Sequence, residues 1–181
     1  MSIPLMRALV ARDVAATARE IGASIPEGFP DNLDHFLRCR LAQLDADPTI
    51  LSWLARAMVL TDEDGGRRVI GTIGFHGAPD DRGRLEVGYR IEPEYRRRGF
   101  AREAVRAMLD WAANERGIHR FIASIRPDND ASLGLAAGFG FAQTGTQMDD
   151  IDGLELVLEA TWPPASGRPA RGSDPAGDGL G

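Results

Sequence analysis

The sequence predicts a mixed α/β fold, and three observations carry that reading. Strand-like runs separated by turn residues fill the middle of the chain, from Ala57 to Ile91. The period then changes. Ala101, Ala104, Val105, Met108, Leu109 and Ala112 recur at i, i+3, i+4, i+7, i+8 and i+11, the stripe of an amphipathic helix. A further strand, His119 to Ile125, follows that helix. An antiparallel meander thus runs into a strand–helix–strand unit. Its crossover is expected to be right-handed and its two strands parallel.

Each element has a local reason. Ile3 to Val10 is a short apolar run and reads as a first strand. Arg12 to Ile21 reads as a helix, with Val14, Ala18 and Ile21 on one face. A proline- and glycine-containing loop, 23–32, comes next. Leu33, Phe36, Leu37, Leu41 and Leu44 repeat at helical spacing. Thr49 to Arg56 reads as a short helix and Ala57 to Thr61 as a strand. Asp62-Glu63-Asp64-Gly65-Gly66 is a hairpin turn by composition. Val69 to Phe75 and Leu85 to Ile91 are strands about a Gly77–Gly83 turn. Gly117 is a plausible stop for the long helix. Asp130 to Ala137 is a short helix, Phe141 to Gln147 a strand, and alternating Leu154, Leu156 and Leu158 the last strand.

Composition narrows the chemistry. The chain has 181 residues, and all 21 of its basic residues are arginine. With no lysine, a P-loop lysine, a kinase-type strand lysine and a Schiff-base lysine are all excluded. Arginine stays charged at neutral pH, so none of them serves as a general base. The formal net charge of −6 does not favour nucleic acid or an anionic membrane surface. Cys39 is the one cysteine, so no disulfide framework or cysteine metal cluster is expected within the chain, and no metal. No segment reads as a transmembrane span or signal peptide, and a cytoplasmic location is the default. From Pro163 to Gly181, nine of nineteen residues are proline or glycine. The reading is therefore one domain over 1–162 and a flexible tail over 163–181.

The most informative stretch is GYRIEPEYRRRGFAREAV, Gly88 to Val105. A strand ends at Ile91, an arginine-rich loop follows, and the long helix begins at Gly99. This order puts free backbone N–H groups at a helix N-terminus, where a phosphate is readily held. Gly99 permits close backbone approach and Ala101 adds little bulk. Residues 90–106 hold six arginines against Glu92, Glu94 and Glu103, a local charge of +3. The G-x-G-x-x-G of a dinucleotide site is absent.

Arg96-Arg97-Arg98-Gly99-Phe100-Ala101 fits the pattern Arg/Gln-x-x-Gly-x-Gly/Ala. With the preceding strand LEVGYRIEPEY and the later PDNDASLGLAAGFGF, the chain resembles the GNAT superfamily of acyl-CoA-dependent N-acyltransferases. The look is nearest the ribosomal-protein N-terminal acetyltransferase-like branch, over roughly Val69 to Leu158. The resemblance implies a mixed, mostly antiparallel central sheet flanked by helices, with splayed central strands forming the acetyl-CoA cleft. It implies that the backbone of Tyr89, Arg90 and Ile91 pairs with the pantetheine arm. It implies that Arg96, Arg97, Arg98, Gly99, Phe100, Ala101 and Arg102 form the pyrophosphate turn, and that Asn129 contacts the cofactor. Asn129 is also a favoured helix cap.

Acetyl-CoA is then the co-substrate. The acceptor is a small-molecule amine or a peptide N-terminus, and a homodimer fits the family. Glu86 is the first choice for the base, and either Ser132 or water is left to protonate the thiolate. Two departures stand out: Ser124 occupies the place of the branch's base glutamate, and Ala136 that of the usual tyrosine acid. His76 is open to a base role, a substrate contact or a plain surface turn. The competing readings are a non-catalytic CoA-binding or regulatory module, and transfer of another acyl group such as succinyl, with Arg90 or Arg126 as its anchor.

Overall fold

The computed structural model describes residues 1–26, 28–29, 33–151 and 153–164. Most of the tail, 165–181, and residues 27 and 30–32 of the first loop lie outside them. Helix α1 (Ile3–Val10) opens the chain, followed by α2 (Val14–Ile21) and α3 (Asp34–Ala46). Strands β1 (Arg56–Thr61), β2 (Arg67–Phe75) and β3 (Arg84–Ile91) form the meander. Then come α4 (Phe100–Arg116), β4 (Arg120–Ile125), α5 (Asp130–Ala137), β5 (Ala142–Asp149) and β6 (Gly153–Thr161). A 3₁₀ turn, Pro48–Ser52, stands where a short helix was expected before β1.

The first element corrects the sequence reading: Ile3–Val10 is helical, not a strand. Ser2 caps it by accepting from the Leu5 N–H, and Pro4 sits in the first turn, where its missing N–H costs nothing. Leu5, Met6 and Leu9 then fall on one buried face.

The sheet runs in the order β1-β2-β3-β4-β6-β5. β1, β2 and β3 pair antiparallel, β3 and β4 pair parallel, and β4, β6 and β5 pair antiparallel. The larger apolar cluster lies between the sheet and α4, with Leu85, Leu109, Ala112 and Phe121 fully enclosed. The smaller gathers Leu5, Met6, Leu9 and Leu37 of the N-terminal helices against Val69 of β2. Trp53 and Trp111 are partly buried against the larger cluster, walls rather than reactive groups.

The parallel pair sets the site. β3 and β4 are in register only at Arg84↔Arg120, Leu85↔Phe121 and Glu86↔Ile122. Beyond that point Val87–Ile91 stay paired to β2, and Ala123–Ile125 to β6. The two strands therefore part, and the facing edge of each is open. The closed end is stapled by Arg84, whose Nη1 donates to Glu159 Oε1 at 2.5 Å; Arg120 lies 3.6 Å from the same carboxylate.

Candidate active site

Two hollows meet at the fork. One is lined by Tyr89, Arg90 and Ile91 of β3, by Arg96, Arg97, Gly99, Phe100, Ala101 and Arg102 of the turn, and by Asn129 and Ser132. The other runs between Val87–Arg90 and Ala123–Arg126 and reaches His76, Phe36 and Glu155. They share Tyr89, Arg90, Asn129, Ser132 and Leu135, so one path leads from the arginine turn into the fork.

The turn is built by backbone conformation. Gly99 has φ +87° and Arg97 has φ +60°, both left-handed. A non-glycine residue there carries strain of about 1–3 kcal/mol and signals a shape the surroundings impose. Gly99 is the N-cap of α4, and no side chain caps the helix. The N–H groups of Phe100, Ala101 and Arg102 are thus left without intrahelical acceptors. A Cβ on Gly99 would meet no atom within 4 Å, so the space before the helix is open. A pyrophosphate fits this cradle in charge, donor set and room.

The arginines divide. Arg96 closes the turn by donating from Nε to the Ile91 carbonyl at 3.0 Å. Arg97 and Arg102 line the hollow. Arg98 lies over the Tyr95 and Phe100 rings, 5.7 and 5.1 Å from their centroids, and is not among the lining residues. Asn129 caps α5 by accepting from the Ser132 N–H at 3.1 Å while it faces both hollows.

Tyr89 and Ser132 come together in a way the sequence did not announce. The phenol oxygen lies 3.1 Å from Ser132 Oγ. Burial raises the Tyr89 phenol above its ordinary range, against a smaller opposing pull from Ser132, so it stays protonated at neutral pH. Ala136, where the resemblance implies a tyrosine in many members, is buried and lines the same hollow as Tyr89 and Ser132. The phenol reaches this region from β3 instead.

On the other sheet face Glu86, Gly88 and Arg90 alternate along β3 without a bulge. Glu86 meets His76: Oε1 lies 3.4 Å from Nδ1. Burial pushes the Glu86 carboxyl up. His76, the Ser124 hydroxyl and Arg40 together outweigh it and hold the carboxyl below the usual range. Ser124 thus stands beside the carboxylate it seemed to lack. Gln147 extends the polar wall, donating to Ser124 Oγ at 3.1 Å and Glu155 Oε2 at 3.0 Å. Sequence reasoning passed over Glu155 and Gln147. It weighed His76 but not its partner, although the hairpin register of Phe75 with Val87 puts His76 opposite Glu86.

Arg90 and Arg126, the candidate anchors for a second acyl carboxylate, already face carboxylates of this chain. Arg126 donates to Asp128 at 3.0 and 2.5 Å, and Arg90 lies 3.9 Å from Glu92. His35 contacts Cys39 at 3.4 Å, and His119 Nδ1 meets the Trp162 carbonyl at 2.9 Å, both away from the fork. Among the described residues no group of three or more His, Cys, Asp or Glu is placed to hold a metal ion. No helix among them is long and apolar enough to cross a membrane.

The site is a six-stranded sheet forked at the parallel β3–β4 pair, with an uncapped helix N-terminus beside the fork. The chain belongs to the GNAT acetyltransferase family: the family model described as an acetyltransferase (GNAT) domain matches residues 6–142. A Bacillus subtilis relative, the uncharacterized N-acetyltransferase YoaA, is 38% identical over 79 residues, covering 44% of this chain and 45% of the relative. An Aspergillus fumigatus FsC-acetyl coenzyme A-N(2)-transacetylase is 32% identical over 69 residues, 38% of this chain and 29% of that protein. The chain thus spans less than half the length of these curated relatives. A ribosomal-protein-S5-alanine acetyltransferase from Vibrio fischeri shares the fold, with TM-score 0.55 at 21% identity over 89% of this chain and 91% of that one.

Proposed function

We propose that the protein transfers an acetyl group from acetyl-CoA to a primary amine, a small molecule or a peptide N-terminus, in the cytoplasm. The observation that carries this reading is the continuous path from the α4 cradle to the open edges of β3 and β4. An uncapped helix N-terminus at one end and a strand edge unpaired to its neighbour at the other suit the two halves of coenzyme A. Pantetheine amides would add to the free edge of Tyr89–Ile91 as a strand adds to a sheet. The turn from Arg96 to Arg102 would carry the pyrophosphate, with the Arg98 side chain packed on the Tyr95 and Phe100 rings rather than in the hollow, and Asn129 would orient the arm.

The bound thioester supplies an activated acetyl group. The chain's residues manage the protons. An acceptor ammonium has a pKa near ~10.4 and must lose a proton before it attacks. Glu86 would belong to the machinery that accepts it, because its carboxylate is held below the usual range and lies 3.4 Å from His76, which lines the fork. Ser132 would protonate the departing sulfur, with the Tyr89 phenol behind it as the donor that replaces the family tyrosine. Glu155 lines the acceptor side and the Glu86 carboxylate lies against His76, which lines it too, an arrangement that favours a cationic acceptor. The engagement of Arg90 and Arg126 with carboxylates argues against a succinyl anchor. Ala136 favours one competing reading, a CoA-binding module without turnover.

Acetyl-CoA at a hundredfold excess over its Kd is expected to stabilise the fold by about 2.7 kcal/mol. Differential scanning fluorimetry should then read a rise in Tm of roughly 5–10 °C. No shift at millimolar acetyl-CoA would exclude this cofactor.

A further inference from the structure

We propose that His76 is the group that removes the acceptor's proton, and that Glu86 is the positioning residue that holds its imidazole. The inference rests on the acetyltransferase reading and assigns the base within the same site.

The geometry is specific. His76 follows directly on β2, opposite Glu86, and its N–H donates to the Glu86 carbonyl at 2.9 Å. Its own carbonyl is held from α3: Arg40 Nη1 donates to it at 2.8 Å and Gln43 Nε2 at 3.1 Å. Arg40 is a buried arginine, only 7% exposed, so this support comes from the core and not from a loose surface contact. The backbone of His76 is therefore fixed on both sides. Its ring is oriented by Glu86, whose Oε1 lies 3.4 Å from Nδ1. The opposite nitrogen, Nε2, lies against Gly88. A Cβ on residue 88 would sit 2.5 Å from it, so only glycine leaves the ring its place. Gly88 is two residues past Glu86, the last β3 residue paired to β4. Nε2 thus stands over the strand where the fork has just opened.

The chemistry fits that arrangement better than direct action by Glu86. A carboxylate held below its ordinary range is a poor proton acceptor. An imidazole with one nitrogen turned to a carboxylate offers its other nitrogen as the proton acceptor. With Nδ1–H pointed at the carboxylate, Nε2 carries the free lone pair, and Glu86 stabilises the imidazolium that forms. The ammonium gives one proton to Nε2, and the neutral nitrogen forms a C–N bond to the thioester carbon. The C–S bond breaks, the thiolate takes a proton through Ser132, and the new amide nitrogen loses the second proton. Acylated amine, free thiol and one proton to solvent balance the step. The charged groups around the ring are Glu86 and Arg90 on β3, Arg40 on α3, Arg126 after β4 and Glu155 on β6.

The test compares the wild type with H76N, H76Q and E86Q. H76N and H76Q should lower kcat/KM for the amine by about 10²- to 10⁴-fold. Their acetyl-CoA affinity, measured by calorimetry, should stay within about twofold of wild type, since His76 lies off the phosphate path. The wild-type rate should rise with pH along a limb that both His76 variants lose. E86Q should keep that limb and lose less activity. Independently of turnover, diethylpyrocarbonate modification of His76, read by mass spectrometry, should slow when CoA is bound, while His119 is unaffected. If E86Q erases the limb and H76N keeps it, Glu86 is the base and the proposal falls. If the His76 variants turn over normally, the proposal falls while the acetyltransferase reading stands. If the wild type neither binds acetyl-CoA nor releases thiol with any amine, both fall.

Discussion

Replacing Gly99 with glutamate is expected to weaken acetyl-CoA binding at least about a hundredfold, roughly 2.8 kcal/mol. Two effects act together. The left-handed φ of +87° suits glycine, and an L-residue there costs about 1–2 kcal/mol. The new carboxylate would project into the open space before α4, where the free N–H groups of Phe100, Ala101 and Arg102 await an anion. It would compete with the phosphates and repel them. Because a Cβ there meets no atom, the fold itself should lose little beyond the backbone strain. Gly99→Ala separates the two effects, since it adds the strain without the charge and should bind more tightly than Gly99→Glu. Calorimetric titration with acetyl-CoA measures both. A Gly99→Glu protein with wild-type affinity would mean that the pyrophosphate lies elsewhere.

Gly71→Ala is expected to have the largest effect on stability. A Cβ at this position would lie 2.2 Å from the Arg90 carbonyl oxygen and 3.2 Å from the Ile91 Cα. The obstacle is the backbone of β3, which has no rotamer to change. Either β2 and β3 separate or the pair unzips, at about 3 kcal/mol, the upper range of overpacking. Thermal unfolding should then shift down by roughly 6–12 °C. Gly145→Ala is the matched control, because a Cβ there meets nothing within 4 Å and no positive φ is involved. Its Tm should hardly move. The Arg90 carbonyl lies on the strand that borders the fork, so Gly71→Ala should also weaken acetyl-CoA binding. Equal melting points for the two variants would contradict the close approach of β2 and β3.

The features legible in the sequence were local ones. The arginine turn is contiguous, and its strand, glycine and helix each carry their own signal, so Gly99 could be placed at the start of α4 by reading alone. The parallel relation of β3 and β4 follows from chain handedness and a single crossover helix. Ile3–Val10 failed because a short apolar run fits strand or buried helix equally well. The deciding signals, Ser2 as cap and Pro4 in the first turn, lay at its edge. The chemistry-bearing pairs were less legible because they join distant segments. Glu86 meets His76 across a hairpin, Tyr89 meets Ser132 across 43 positions, and Ser124 meets Gln147 across 23. Each needs register and side-chain direction, which periodicity does not supply. Ser124 and Ala136 looked like losses from the family pattern. In three dimensions a carboxylate and a phenol from β3 stand beside these two positions.

Thiol release from acetyl-CoA across a panel of small amines and short peptides tests the central claim most directly. The account predicts amine-dependent release, with acetylated amine formed in equal amount and cationic acceptors used best. Acetyl-CoA that raises the melting temperature but yields no thiol above the blank with any acceptor would contradict it, and would leave a CoA-binding module.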